Sequence, residues 1–194
     1  MKDRLASATS ATAGLSSSAS ALDKMDAQGQ YSVKCYAFEG GPLLWEDDIE
    51  NVVATVGKNL ALDTILAGSA YTVVGPYMGL ISSIAYVSTP VAADTMASHT
   101  TWTEAGSTSA PTFAARIAPA WSAAATGSKA TSANVSFTMT GAGTLKGAFL
   151  VYGSGAVTTL MSTAGVLLSA GLFTGGDQVV SNGNVVNVSY SLSM

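Results

Sequence analysis

Histidine and carboxylates, the side chains with the widest chemistry, come closest together in one stretch of this sequence. His99 lies between Asp94 and Glu104. An imidazole with two carboxylates can bind a metal ion or act as an acid–base pair. His99 is the chain's one histidine, however, and a zinc site normally needs more imidazole or thiolate ligands than this chain offers. We therefore predict no metal, no cofactor and no catalytic residues, and we expect that the protein is not an enzyme.

A structural role accounts for the same residues. We expect Asp94 and His99 to hydrogen-bond the backbone of the long irregular segment 90–111, while Trp102 covers the sheet. A loop of that length in a compact domain is usually functional. We therefore also predict that Asp94, His99 and Trp102 belong to an interface with a partner.

Two other sets of residues are weaker candidates for a functional site. Asp47, Asp48 and Glu50 lack the regular spacing of a calcium loop, and they are more typical of a solvated strand end. Cys35 is the only cysteine, so it has no partner for a disulfide within the chain. It lies in an alternating run with Tyr31 and Val33, which predicts a small buried apolar residue.

Charge is scarce throughout the chain. Hydrophobic residues make up 48% of the 194 residues and charged residues only 10%, against about 25% charged in an ordinary soluble domain. We expect much of the surface to be covered in an assembly, and we predict a homo-oligomer, either a dimer or a trimer. The net charge of −4 predicts no nucleic-acid binding, which needs clustered Lys and Arg. The most apolar span, 71–87, is interrupted by glycine and proline, so we expect no membrane partner.

The composition divides the chain into two parts. Residues 1–30 are rich in Ser, Thr and Ala and carry too little apolar surface to fold alone. We consider two hypotheses for this arm: a disordered tail, or an extended segment that becomes ordered on a neighbouring subunit. In the second, the anchors are Leu5, Leu15, Leu22 and Met25. Residues 31–194 form the folded domain.

Alternation of apolar and polar residues predicts that this domain is all-β. It is clear in 31–39, 133–139 and 186–192. We expect a hairpin from 31–39 and 43–55 with a bulge near Asp47 and Asp48, a strand at 113–121, and a return strand after the turn at 141–143. Asn182 and Gly183 are a typical two-residue hairpin turn. Roughly eight to ten strands predict a two-sheet antiparallel β-sandwich that is jelly-roll-like.

One stretch, 51–70, has a helical period instead. We predict one short helix that follows a break at Gly57, has Asn59 as its N-cap, and ends at Gly68. Its apolar residues recur at the spacing of one helical face, which we expect to cover the flank of the sheet. They are Leu62, Ile65 and Leu66.

Several motifs resemble a group of small virion proteins of tailed bacteriophages. The motifs are WEDDIENVVATVGKNLALD at 45–63, YMGLI at 77–81, AADTMASHTTWTE at 92–104 and KGAFL at 146–150. The resemblance extends from residue 31 to the C-terminus, excludes the arm, and is most specific at 94–104. It implies a structural protein of the particle, either a head decoration protein or a tail-fibre-like protein.

The interpretation that we favour is a capsid decoration or cement protein. Its partners would be the phage major capsid protein and further copies of itself. We expect it to be made in the host cytoplasm and to be located on the capsid surface of the virion. The alternative is a tail-fibre or baseplate component, although no heptads or repeats predict a fibre shaft. A carbohydrate-active enzyme or receptor-binding lectin is a third hypothesis, and it would need paired catalytic carboxylates or an exposed aromatic platform. Trp45, Trp102 and Trp121 could form such a platform, but the pattern around each of them is more typical of a core or interface residue.

Overall fold

The structure, a computed structural model, describes residues 27–66 and 74–193. Within these ranges the chain forms ten β-strands and one helix. In chain order they are β1 (Gln28–Tyr36), β2 (Leu43–Val53), α1 (Thr55–Leu66), β3 (Tyr77–Ser82), β4 (Thr103–Glu104), β5 (Ser128–Ala130), β6 (Val135–Thr138), β7 (Gly143–Tyr152), β8 (Val166–Leu172), β9 (Gln178–Val180) and β10 (Val185–Ser193). The predicted all-β class with one short helix is confirmed for this part of the chain.

All ten strands belong to one hydrogen-bonded sheet. Its order is β4-β3-β7-β8-β2-β1-β10-β5, with β6 also paired to β10 and β9 also paired to β7. Every pairing is antiparallel. The first strand therefore lies beside the last one, and both are inside the sheet and not at its edges.

The buried side of β1 has the predicted period of two. Tyr31, Val33 and Cys35 are fully buried, because alternate residues of a strand point to the same face. Tyr31 is paired with Tyr190 on β10, and their rings lie 4.5 Å apart. Cys35 is a buried apolar residue, as its alternating context predicted. Because β1 begins at Gln28, the sheet includes the last residues that composition had assigned to the arm, 28–30.

The core consists of two clusters of buried side chains. The larger contains the inward residues of β1, β6 and β10, and the smaller surrounds Trp102 and Phe149. Strand β7 contributes to both, since its residues from Gly147 onward are buried on both faces. Strands β2 and β8 are paired over only three residues each, Asn51 to Val53 against Ser169 to Gly171.

Several predicted local pairings are wrong. A turn does occur at Asn182 and Gly183, but β9 before it pairs with β7 and β10 after it pairs with β1. Likewise β6 pairs with β10 and forms no hairpin with β7. Residues 113–121 make isolated bridges at Ile117 and Trp121 instead of a strand. The register of β1 and β2 shifts between Cys35 and Tyr36, where Leu44 of β2 is unpaired, whereas Asp47 and Asp48 are paired regularly.

Helix α1 also differs from its prediction. It begins at Thr55, so Asn59 lies inside the helix and is not its N-cap. Gly57 is a packing contact and not a break: a Cβ on it would lie 2.8 Å from the Leu167 carbonyl oxygen. The helix buries Gly57 and Leu60, and the Tyr152 hydroxyl donates a 2.6 Å hydrogen bond to the Gly57 carbonyl.

The predicted apolar face of α1 is not covered by the described residues. Leu62, Ile65 and Leu66 are 46%, 62% and 75% exposed. The helix packs on β8 and buries Gly57 and Leu60 there, so the predicted apolar face stays largely exposed beside the sheet. The predicted C-terminal Gly68 lies outside the described residues. Among the described helices, none is long and apolar enough to cross a membrane.

Candidate functional site

The segment that carries His99 folds around one buried tryptophan. Trp102 is 2% exposed and its ring packs 5.3 Å from that of Phe149 on β7. Its indole nitrogen donates a 3.0 Å hydrogen bond to Asp94 Oδ2. The same carboxylate oxygen accepts a 3.1 Å hydrogen bond from the Val91 backbone N–H. Asp94 therefore joins the start of the loop to the side chain that covers the core.

His99 lies on the outer side of Trp102. The two rings are stacked, with centroids 3.9 Å apart and planes inclined by 22°. His99 Nδ1 lies 3.1 Å from the Trp102 carbonyl oxygen. This agrees with the structural role expected for Asp94, His99 and Trp102: hydrogen bonds to the loop backbone, with the indole over the sheet.

Glu104 belongs to a different cluster. Its carboxylate forms two 2.8 Å hydrogen bonds with Nε and Nη2 of Arg116. Both side chains are buried, and Arg116 also donates to the Ser162 carbonyl. Glu104 Oε2 accepts a further hydrogen bond from the Met161 N–H. This cluster joins β4, the segment around 116 and the segment around 161.

The geometry of these residues favours a structural role, in which they hold the loop in place, over a catalytic or metal-binding role. The carboxylates of Asp94 and Glu104 have separate partners, so the three residues do not form one site. Each of the polar atoms named above is occupied within the protein. No group of three or more His, Cys, Asp or Glu side chains with metal-binding geometry occurs within 27–66 and 74–193.

Sequence analysis did not find Arg116. It lies in an apolar stretch, between Phe113 and Ile117, where a single cation gives no indication of its partner. A buried cation must be paired, but the alternation of Phe113, Ala115 and Ile117 puts Arg116 on the opposite face of the predicted strand, so the pattern gave no sign of its burial. Its guanidinium also lies 5.4 Å from the centre of the Phe149 ring. The two polar clusters are therefore both built against Phe149.

The predicted interface residues divide by location. Asp94 and Trp102 are buried within the chain, and His99 is partly exposed. An interface on this loop would thus use His99 and its exposed neighbours, with the other two residues holding it in place. Leu5, Leu15, Leu22 and Met25 lie outside the described residues, and their role stays a prediction.

A third polar cluster lies at the turn after β8. Asp47 accepts hydrogen bonds from the Thr174 hydroxyl and from the N–H groups of Thr174 and Gly175. Partial burial alone would raise the pKa of Asp47, but these hydrogen bonds lower it overall. The acidic group predicted to be a solvated strand end therefore includes one carboxylate that fixes a turn, while Asp48 and Glu50 are exposed.

The tryptophans do not form an aromatic platform. Trp45 contacts Phe173 edge-on, Trp121 contacts Tyr190 edge-on, and Trp102 is buried against Phe149. Their neighbours are different in each case, so no flat ring pair is available for a sugar in this arrangement. No protein-family model matches the chain, and no curated protein is detectably similar to it.

Proposed function

We propose that this protein is a structural subunit of a tailed-phage virion, and specifically a capsid decoration protein that binds the major capsid protein and stabilises the shell. The motif resemblance supports a virion protein. The observation that carries the proposal is the amount of apolar surface that this charge-poor chain leaves exposed. Soluble monomers rarely expose large contiguous apolar patches, and such patches mark interaction sites.

Most of the large exposed apolar residues in the described part of the chain lie in three places. The tip of the β1–β2 hairpin presents Phe38, Leu43 and Leu44, of which Phe38 is 59% exposed. The segment after β3 presents further apolar side chains, and helix α1 presents the third set. Those after β3 are Ile84, Val87 and Val91, with Val87 73% exposed. Faces of this kind fit a subunit that is covered on several sides by neighbours, and we propose a dimer or trimer whose remaining faces contact the shell.

The arm, residues 1–26 together with Ala27, would strengthen the binding of the subunit to the shell. When a chain crosses a subunit boundary, each additional contact forms at high effective concentration, so several weak contacts together give tight binding. Its apolar residues are spaced along an otherwise small and polar segment. The role is therefore structural, with no catalytic step.

We also propose that the ten-stranded sheet folds into two layers, as in a jelly-roll-like β-sandwich. The support is threefold. The β2–β8 pairing is only three residues long, which fits a corner. Strand β10 pairs with β1 on one side and with both β5 and β6 on the other. The buried residues form two clusters.

The test is reconstitution on particles. Heads would be prepared from a phage mutant that lacks this gene, mixed with purified protein, and separated by sedimentation. We expect saturable binding to heads and none to isolated tails. Phe38→Asp should weaken binding at least tenfold, whereas Ser154→Asp at an exposed turn should not change it. Binding confined to tails would show that the alternative, a tail-fibre or baseplate component, is correct.

A further inference from the structure

An apolar groove lies between helix α1 and the sheet. Its volume is about 140 Å³, and apart from Lys58 its lining residues are apolar. They include Val53, Leu168 and Leu192 of the sheet and Ala61, Leu62 and Ile65 of the helix. A cavity of about 150 Å³ with such a lining binds a benzene-sized apolar group. The groove therefore has room for one or two aliphatic side chains.

The start of the described chain borders this groove. Ala27, the first described residue, is part of the lining and packs against the core. Residues 1–26 consequently start at the groove's edge. Met25 is two residues from Ala27 and Leu22 is five residues away, so their Cα atoms lie within about 7 Å and about 18 Å of that of Ala27.

We propose that the arm of the same chain folds back over α1, with Met25 in the groove and Leu22 against the exposed face of Leu62 and Ile65. The argument is one of position and chemistry. Met25 and Leu22 are the large apolar side chains that precede Ala27 most closely in sequence, and they lie within reach of the exposed Leu62 and Ile65 of the helix. A tethered segment binds at high effective concentration, so no second molecule is required.

This arrangement gives the arm two functional parts. Leu15 and Leu5 are 12 and 22 residues from Ala27, so their maximal reach is about 43 Å and about 79 Å. With its proximal part held on α1, the arm would leave the helix in a defined direction, and its distal anchors would remain available for a partner. The inference concerns the isolated protein and stands whether or not the partner is a capsid.

Disulfide trapping in the full-length protein tests the proposal. One variant carries Asp23→Cys, between the two anchors, with Ala61→Cys in the groove. The control carries Asp23→Cys with Glu50→Cys. Glu50 lines a polar hollow that Ala27 also borders, so each target shares a hollow with the start of the described chain. The native Cys35 is buried and does not compete.

We expect the groove pair to form an intramolecular disulfide at least tenfold faster than the control pair. Equal rates would overturn the proposal, and so would a disulfide found mainly in dimers, which would assign the groove to the arm of a second copy. Adding Leu22→Asp and Met25→Asp should abolish the difference in rate. As a second measurement, backbone amides of α1 should exchange with deuterium at least tenfold faster in the full-length Leu22→Asp, Met25→Asp protein; unchanged exchange would contradict the proposal.

Discussion

Glu104 and Arg116 form a buried bidentate ion pair, with two nitrogen–oxygen distances of 2.8 Å. Arg116 is 1% exposed and Glu104 is 2% exposed. Two charges are costly to remove from water, and their attraction offsets that cost only when the geometry is good and the remaining polar atoms are satisfied. Here the Ser162 carbonyl and the Met161 N–H satisfy them. The pair thus joins three segments that are distant in sequence.

Removal of one member of this pair should be severely destabilising. Glu104→Gln leaves the Arg116 cation buried without a counter-charge, and we expect the free energy of unfolding to fall by about 3–5 kcal/mol. Urea denaturation measures it. The matched control is Glu46→Gln, which removes a partly exposed pair with Lys34 at 3.0 Å and should cost at most about 1 kcal/mol. Glu104→Gln with Arg116→Met should be less destabilised than Glu104→Gln alone; an equal or larger loss would show that the buried cation is not the cause.

His99 should stabilise its loop without any chemical role. His99→Ala removes the ring stacked on Trp102 and the contact of Nδ1 with the Trp102 carbonyl. We expect the free energy of unfolding to fall by about 1–2 kcal/mol, the sum of one aromatic contact and one hydrogen bond. Ser98→Ala, at the exposed neighbouring position, is the control and should have little effect. A stoichiometric transition metal in the purified protein that is lost in His99→Ala would contradict this role.

Gly57 should be intolerant of even the smallest side chain. In most helices, Gly→Ala is stabilising by about 0.5–1 kcal/mol. At this position the new Cβ would lie 2.8 Å from the Leu167 carbonyl oxygen and 2.8 Å from Leu168 Cα. Because both are backbone atoms, we expect Gly57→Ala to lower the free energy of unfolding by about 1–3 kcal/mol. Asp63→Ala, on the exposed side of the same helix, should be neutral or slightly stabilising; a Gly57→Ala protein that is equally stable would show that α1 can move away from β8.

The buried tyrosines predict a loss of stability at alkaline pH. Burial, and secondarily the neighbouring Tyr190, raises the pKa of Tyr31 well above its ordinary value, although its hydrogen bond with Ser169 lowers it. Burial also raises the pKa of Tyr190, against hydrogen bonds with Ser169 and Asn51. Unfolded tyrosine loses its proton near pH 10, while the folded protein keeps both protons. The folded state then binds more protons, so its stability falls as the pH rises above about 10.

Denaturation with urea between pH 8 and 11 measures this loss. Cys35, whose pKa burial raises to about 11, acts in the same direction, as does Lys34, whose pKa is raised by its hydrogen bond to Glu46. The readout is therefore the difference between variants. Tyr31→Phe and Tyr190→Phe should each show a shallower fall with pH than the unaltered protein. Identical pH profiles would show that the tyrosines do not carry the effect.

The sequence predicted the elements whose side chains obey a simple local rule. Strands β1, β6 and β10 were predictable because each buries one face, and the alternation of Val135 and Phe137 with polar residues reports that directly. Strand pairing was not predictable in the same way. The Asn182–Gly183 turn fixes only local backbone shape, whereas the partners of β9 and β10 depend on strands more than 30 residues away.

The helix and the polar clusters show two further limits of what can be predicted from the sequence. The spacing of the leucines indicates a helix but does not show which side of it packs on the sheet. Helix α1 approaches β8 at Gly57, where the absence of a side chain allows close contact. The Asp94–Trp102 contact was within reach of sequence analysis because both residues lie in one loop. Arg116 and its carbonyl acceptor at Ser162 are 46 residues apart, and no local pattern links them.

Copy number in the virion tests the central proposal most directly. Under this proposal a phage encodes the protein, and quantitative mass spectrometry of its purified particles would compare the amount of this protein with that of the major capsid protein. A decoration protein covers the shell, so we predict a number of copies comparable with that of the shell subunit. A few copies per particle, or its absence from purified heads, would contradict the assignment to the capsid surface.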